Sequence, residues 1–158
     1  FTGPVYMRMG RGDVPPVYEA GEKFEIGKIK TVCEGTDATI IACGEMVAPA
    51  KKAAELLQDE GISVRVLDCF TIQPMDTKTV EKALRETRAV VTVEEHSTRG
   101  GLGEAVSHIA AELRGSAPMR LLGLPEEVVI GQSVRLFWRR ATFPKRLLAC
   151  PSVLPACS

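Results

Sequence analysis

The fold is decided by the stretch Ala38-Thr39-Ile40-Ile41-Ala42-Cys43, which Gly44 ends. Its apolar residues are continuous rather than alternating, and such a run is typical of a strand buried on both faces of a sheet. From Val47 to Glu60 apolar residues then recur at the spacing of a helix, and Gly61 is a candidate C-cap. A buried strand followed by an amphipathic helix indicates the first half of a βαβ unit.

The same alternation of strand and helix continues toward residue 124. Short connections between such units force a mostly parallel sheet with helices on both faces. The sequence therefore predicts an α/β fold, a three-layer α/β/α arrangement around about five strands. The other predicted strands are Ile29–Cys33, Ser63–Cys69, Ala89–Val93 and Met119–Leu124, and the other predicted helices are Asp76–Glu86 and one that opens at Gly100–Gly103 and ends at Gly115.

The two ends of the chain differ from this central region, residues 29–130. Residues 1–28 combine a short predicted strand, Val5–Met7, with a glycine- and proline-rich surface connection, which is typical of the end of one domain followed by a linker. We interpret the first residues as a fragment or a processed end, because they open within a strand-like run. Residues 131–158 show no clean period and are interpreted as a divergent tail.

Composition excludes several classes of function. Twenty basic residues balance twenty acidic ones, which leaves no electrostatic footprint for nucleic acid or an anionic membrane. No apolar run is long enough to cross a bilayer, and no secretory signal precedes the first strand. The five cysteines are odd in number and widely spaced, so we expect reduced thiols in a cytoplasmic protein.

Three groups of residues are candidates for chemistry. Gly100–Gly103 lies past a strand and opens a helix, where an anion can bind, but we favour the interpretation that the glycines allow a tight turn and close packing. Glu94-Glu95-His96 ends a strand and could serve acid–base work or an interface. With two histidines and no His/Cys cluster, we expect no metal site. Arg8 and Arg11 flank a glycine turn, which suits either phosphate recognition or a solvated loop equally.

Four stretches belong together by their order and spacing over roughly residues 3–130. They are Gly3–Arg8, Gly35–Gly44, Thr71–Asp76, and Val91–His96 with Gly100–Val106. Together they resemble the C-terminal section of transketolases. The broader group that they resemble includes deoxyxylulose-phosphate synthases and the beta subunits of 2-oxo acid dehydrogenases.

The resemblance implies a place within a larger enzyme. Such enzymes use a pyrophosphate module, a pyrimidine module and a C-terminal module, and depend on thiamine diphosphate and Mg²⁺. This sequence resembles the third module, residues 29–130, preceded in residues 1–28 by the end of the pyrimidine-binding module and a linker. The segments that bind the cofactor belong to the other modules, so the resemblance implies neither a catalytic residue nor cofactor binding by this chain alone.

The resemblance also carries a function and site residues. It implies that the chain is part of a transferase that moves a two-carbon ketol unit between sugar phosphates. The isolated chain is expected to be inactive, because its partners are N-terminal modules from the same gene or a separate subunit. The assembled enzyme is expected to be a homodimer. Arg8, and with it Arg11, matches arginines that bind the substrate phosphate. We expect His96, Gly100, Gly101 and Gly103 near a module interface. The alternative is a non-catalytic assembly or regulatory module of a deoxyxylulose-phosphate synthase or 2-oxo acid dehydrogenase.

Overall fold

The computed structural model describes residues 2–10 and 14–124, and these contain five strands and three α-helices. The predicted tail, residues 131–158, and Arg11 lie outside the described residues. The strands are β1 (Lys30–Cys33), β2 (Ala38–Ala42), β3 (Val64–Asp68), β4 (Val90–Ser97) and β5 (Met119–Leu124). The helices are α1 (Val47–Asp59), α2 (Thr77–Glu86) and α3 (Leu102–Glu112), and a 3-10 turn (Gly44–Met46) leads into α1.

The sheet has the strand order β1-β3-β2-β4-β5. β2 pairs in parallel with both β3 and β4, and β4 pairs in parallel with β5. The edge strand β1 pairs antiparallel with β3. The predicted α/β class with a mostly parallel, five-stranded sheet is therefore confirmed.

Helices cover both faces of the sheet, which gives the predicted three layers. Every residue of β2 is buried, as its continuous apolar run indicates. Because side chains alternate along a strand, β2 feeds two separate cores. Ile40 packs with Val66 and with Leu57 of α1 on one face. Ile41 packs with Leu84 of α2 and Val106 of α3 on the other.

The predicted helix and strand boundaries differ from the observed ones mainly at β4. The sequence predicts that this strand ends near Val93, but β4 continues through Glu94, Glu95 and His96 to Ser97. Polar residues of this kind are poor strand formers in isolation, and pairing of Ser97 with Leu124 of β5 holds them in the sheet.

The predicted strand Val5–Met7 is wrong for the described chain. Residues 2–10 have no regular secondary structure, and no described strand pairs with them. Their side chains are exposed: Tyr6 is 90% exposed and Met7 72%. An extended segment becomes a strand only when a neighbour satisfies its backbone groups, and the sheet offers none here.

Candidate functional site

The strand order places a crevice at the carboxyl edge of the sheet, between β2 and β4. The chain leaves β2 to build β3 on one side and then crosses back to build β4 on the other. Connections that depart in opposite directions open a crevice at the strand ends, which is where open α/β sheets bind ligands. The side chains delivered to this edge come from Cys43 and Glu45 after β2 and from Glu94, Glu95 and His96 at the end of β4.

Glu94 occupies the start of α3. Its side chain is only 1% exposed, and its two carboxylate oxygens accept hydrogen bonds from the backbone N–H groups of Leu102, at 2.8 Å, and Gly103, at 2.7 Å. The free N–H groups of a helix start would otherwise attract an anion. Here the protein supplies the anion itself.

The glycines before α3 make room for that carboxylate. A Cβ on Gly101 would lie 1.9 Å from Oε2 of Glu94, and one on Gly103 would lie 2.8 Å from a methyl carbon of Leu121. Gly100 is exposed and adopts a positive φ of 71°. The structure thus supports the packing interpretation of Gly100–Gly103 over the anion-binding one.

A second carboxyl of β4, Glu95, lies in a different environment. It is half-buried and hydrogen-bonded to Glu45, which comes from the turn after β2. Burial raises the pKa of Glu95, the hydrogen bond and the negative charge of Glu45 raise it further, and the positive charge of Arg8 opposes them.

The connecting segment, residues 14–28, crosses the same edge of the sheet. Tyr18 donates a hydrogen bond of 2.8 Å to Oδ2 of Asp68 at the end of β3. Asp68 is 5% exposed, and its other oxygen, Oδ1, has no hydrogen-bond partner among the described residues. Burial raises the pKa of Asp68, although the Tyr18 hydroxyl opposes that rise. Phe24 packs edge-to-face against both Tyr18 and Phe70, with ring centroids 5.0 and 5.1 Å apart.

The predicted site residues are only partly brought together. Arg8 is exposed but lies close enough to Glu95 and to the thiol of Cys43 to act on both electrostatically. His96 is exposed at the same edge, with Nδ1 2.7 Å from the carbonyl oxygen of Ser97 and 4.0 Å from Glu94 Oε2. Its predicted interface role, like that of the glycines, stays a prediction.

Sequence reasoning missed Glu45, Tyr18 and Asp68. Glu45 directly follows a buried strand, and Asp68 ends another, so their positions at the carboxyl edge were a usable signal. Tyr18 carried no such signal, because its contact with Asp68 spans fifty residues of sequence.

The described residues do not fit the diphosphate and metal of a thiamine cofactor. Within residues 2–10 and 14–124, no three metal-ligating side chains of the His, Cys, Asp or Glu type converge. The helix start at the crevice, the natural place for a diphosphate, is filled by the carboxylate of Glu94, which would repel one.

None of the described helices combines the length and apolar character that a bilayer crossing requires.

Comparison with known proteins identifies transketolases and related enzymes. Residues 27–138 match the family model of the transketolase C-terminal domain. A subunit of the apulose-4-phosphate transketolase of Phocaeicola vulgatus is 46% identical over 139 residues, which are 87% of this chain and 44% of the relative. 1-Deoxy-D-xylulose-5-phosphate synthase of Trichormus variabilis is 36% identical over 81% of this chain and 21% of the enzyme. The chain thus spans less than half the length of these relatives.

A solved structure agrees with the sequence relatives. A split-gene transketolase, described as an inactive β4 tetramer, superimposes with a TM-score of 0.80 and 40% sequence identity, over 89% of this chain and 46% of the other. Its identity is high enough that the likeness extends beyond the fold. Since the family model also covers more than half of the sequence, this chain belongs to the transketolase C-terminal domain family.

Proposed function

We propose that the chain is the C-terminal part of a transketolase, a transferase that moves a two-carbon ketol unit between sugar phosphates. The observation that carries the proposal is the 46% identity to a subunit of a transketolase over 87% of the chain. Deoxyxylulose-phosphate synthases match less closely, at 36–37% identity. Because these relatives are enzymes or enzyme subunits, we do not favour the alternative of a non-catalytic assembly or regulatory module.

We further propose that the chain is inactive without N-terminal modules, supplied by the same gene or by a separate subunit. Enzymes of this family depend on thiamine diphosphate. Glu94 fills the helix start of the crevice, so the cofactor would have to bind elsewhere in the assembly. The similar split-gene transketolase is described as inactive in its β4 form, which also supports self-association of such chains. We propose that a homodimer forms the core of the assembly, as the sequence predicts. We also propose that the assembly is cytoplasmic.

Within that assembly we propose that Arg8 binds the phosphate of the sugar substrate. Arg8 is exposed at the mouth of the crevice and is flanked by exposed apolar residues, so that its guanidinium can reach a neighbouring module. A guanidinium offers several N–H donors in one plane, which suits a phosphate. Arg11, outside the described residues, stays a predicted second phosphate ligand.

The test uses Arg8→Ala in the enzyme assembled with its N-terminal modules. Losing one charge-assisted contact should raise KM for a phosphorylated acceptor about 10- to 100-fold, while KM for an unphosphorylated acceptor changes little. The matched control is Arg114→Ala, which removes an exposed arginine after α3. Equal KM values for the phosphorylated acceptor in wild type and Arg8→Ala would contradict the phosphate role.

A calorimetric titration tests the division of labour between modules. The chain alone, titrated with thiamine diphosphate and Mg²⁺, should give no binding heat. The same titration of the chain assembled with its N-terminal modules should give one. Binding and ketol transfer by the chain alone would contradict the proposed incompleteness.

A further inference from the structure

Three sulfur-bearing side chains lie at the carboxyl edge of the sheet and have no part in the function proposed so far. Cys43 directly follows β2, Cys69 directly follows β3, and both are free thiols. Met75 lies in the loop between β3 and α2, and its Sδ atom is 3.5 Å from Sγ of Cys69. The three residues come from separate segments of the chain, so no local sequence motif reveals the group.

The register of β2 and β3 places the two thiols opposite each other. Ile41 pairs in parallel with Leu67, and both side chains lie in the core that α2 and α3 cover. Because side chains alternate along a strand, Cys43 and Cys69, each two residues further on, return to the same face. Both pack with that core. The ladder reaches this point, since the backbone of Cys43 is extended and the N–H of Cys69 donates a hydrogen bond of 2.8 Å to the carbonyl of Ala42.

The spacing of neighbouring strands favours a bridging ion over a disulfide. Adjacent strands lie about 4.8 Å apart, whereas the Cβ atoms of a disulfide lie about 3.8 Å apart. Two sulfurs that bind one ion at about 2.3 Å each are about 3.5–4 Å from one another. The sulfurs of Cys69 and Met75 already have this separation. The Cys43 sulfur reaches it by rotation about its Cα–Cβ bond.

The donors of this group are soft, and the nearby carboxylates are engaged elsewhere. Both oxygens of Glu94 accept hydrogen bonds from the start of α3. Asp68 alternates to the opposite face of the sheet, where Tyr18 donates to it. Two thiolates and a thioether prefer Cu(I) to Zn²⁺ or Mg²⁺.

We propose that Cys43, Cys69 and Met75 form a binding site for Cu(I). Each thiol gives its proton to solvent as a copper–sulfur bond forms, and neither copper nor sulfur changes its oxidation state. Cys69 is fully buried, so the ion enters from the crevice past Cys43, which is partly exposed. The proposal goes beyond the proposed function and does not depend on it, because it involves neither Arg8 nor the sugar phosphate.

The test is an anaerobic titration of the full chain with Cu(I), in competition with a coloured Cu(I) chelator and with a reductant that is not a thiol. Cys150 and Cys157, which lie outside the described residues, are replaced by serine throughout. One ion should bind per chain. Cys43→Ser should weaken binding at least about 100-fold, and Met75→Leu, which keeps the side-chain volume, about 10-fold. Cys33→Ser is the matched control, since it removes a partly buried free thiol on β1, and it should leave the affinity unchanged.

X-ray absorption at the copper edge identifies the ligands in the same samples. The loaded chain should show three sulfur neighbours at about 2.3 Å, and loaded Met75→Leu should show two. Circular dichroism and urea denaturation establish that each variant is folded, and Met75→Leu decides the outcome if Cys43→Ser is not. Affinity that Met75→Leu and a folded Cys43→Ser leave at the wild-type value would overturn the proposal. Nitrogen or oxygen neighbours in place of the sulfurs would overturn it as well.

Discussion

At the scale of single residues, Asp68 and Asp37 show opposite responses to the fold. Burial at the end of β3 raises the pKa of Asp68. The pKa of Asp37 is lowered, chiefly by the backbone N–H of Ser63 at 2.8 Å and also by Arg88, against a smaller effect of burial. The same chemical group therefore favours the folded state in different pH ranges.

We predict opposite pH dependences for Asp68→Asn and Asp37→Asn. A raised pKa contributes stability that is complete below the unfolded pKa, about 3.9, and is lost as the pH rises through the folded pKa. The wild-type advantage over Asp68→Asn should therefore shrink as the pH rises above about 4. A lowered pKa contributes stability above about 3.9 that is lost below it, so the advantage over Asp37→Asn should shrink as the pH falls.

Urea denaturation of the three proteins between pH 3 and pH 8 checks this prediction. Each variant serves as the control for the other, because all remaining groups titrate alike in both. Two difference curves that slope in the same direction would show that burial does not govern Asp68.

Glu94 gives a second prediction at the residue scale. Glu94→Ala leaves two buried N–H groups of α3 without an acceptor and should lower the free energy of unfolding by about 3 kcal/mol. Glu94→Gln keeps one acceptor and should cost about half as much. The control is Glu104→Ala, which loses only an exposed hydrogen bond of 2.9 Å to Gly100 and should cost under about 1 kcal/mol. Chemical denaturation distinguishes the variants, and equal losses for Glu94→Ala and Glu104→Ala would contradict the account.

At the scale of elements, the sequence predicted what depends on local patterns. The continuous apolar run at Ala38–Ala42 and the helical spacing after Val47 were enough to place β2 and α1. The extension of β4 past Val93 depends on pairing with β5, and the Tyr18–Asp68 contact joins distant parts of the chain. Such long-range contacts have no period in the sequence, so the edge of the sheet and its site could be predicted only in outline.

The start of α2 gives a prediction at this scale. Asp76 is its N-cap, accepting hydrogen bonds from the backbone N–H of Thr79 at 3.3 Å and from its hydroxyl at 2.9 Å. It also accepts one of 3.2 Å from the backbone N–H of Ile29, which ties α2 to the chain entering β1. Asp76→Ala should therefore cost about 1–2 kcal/mol of unfolding free energy, and Asp76→Asn less.

Asp59→Ala is the control for this cap. Asp59 is exposed at the last position of α1, where a negative charge opposes the helix dipole. Its removal should leave stability within about 0.5 kcal/mol of the wild type or raise it slightly. Thermal and urea denaturation measure both, and a loss for Asp59→Ala as large as that for Asp76→Ala would show that capping is not the cause.

At the scale of the whole molecule, one part of the described chain has the properties of an unfilled interface. Val5, Tyr6, Met7 and Met9 are 60–90% exposed in succession. They have no regular secondary structure, and no described strand pairs with them. Large apolar side chains rarely remain exposed together in a soluble protein unless a partner covers them. The contacts of Gly10 with Glu45 and of Tyr18 with Asp68 fix the base of this segment on the sheet edge.

We predict that residues 4–9 become buried when the chain assembles with N-terminal modules, since an extended apolar segment gains both strand hydrogen bonds and apolar burial by joining a sheet edge. Hydrogen–deuterium exchange should show amides of this segment exchanging rapidly in the chain alone and about 100-fold or more slowly in the assembly, as expected for N–H groups that enter a stable strand. The peptide covering α2, whose outer face is solvated in the chain, provides the reference.

Tyr6→Asp should weaken assembly while leaving the unfolding free energy of the chain unchanged, because Tyr6 is 90% exposed before assembly. If the exchange of residues 4–9 is equally fast with and without the partner modules, the segment is not the interface with them.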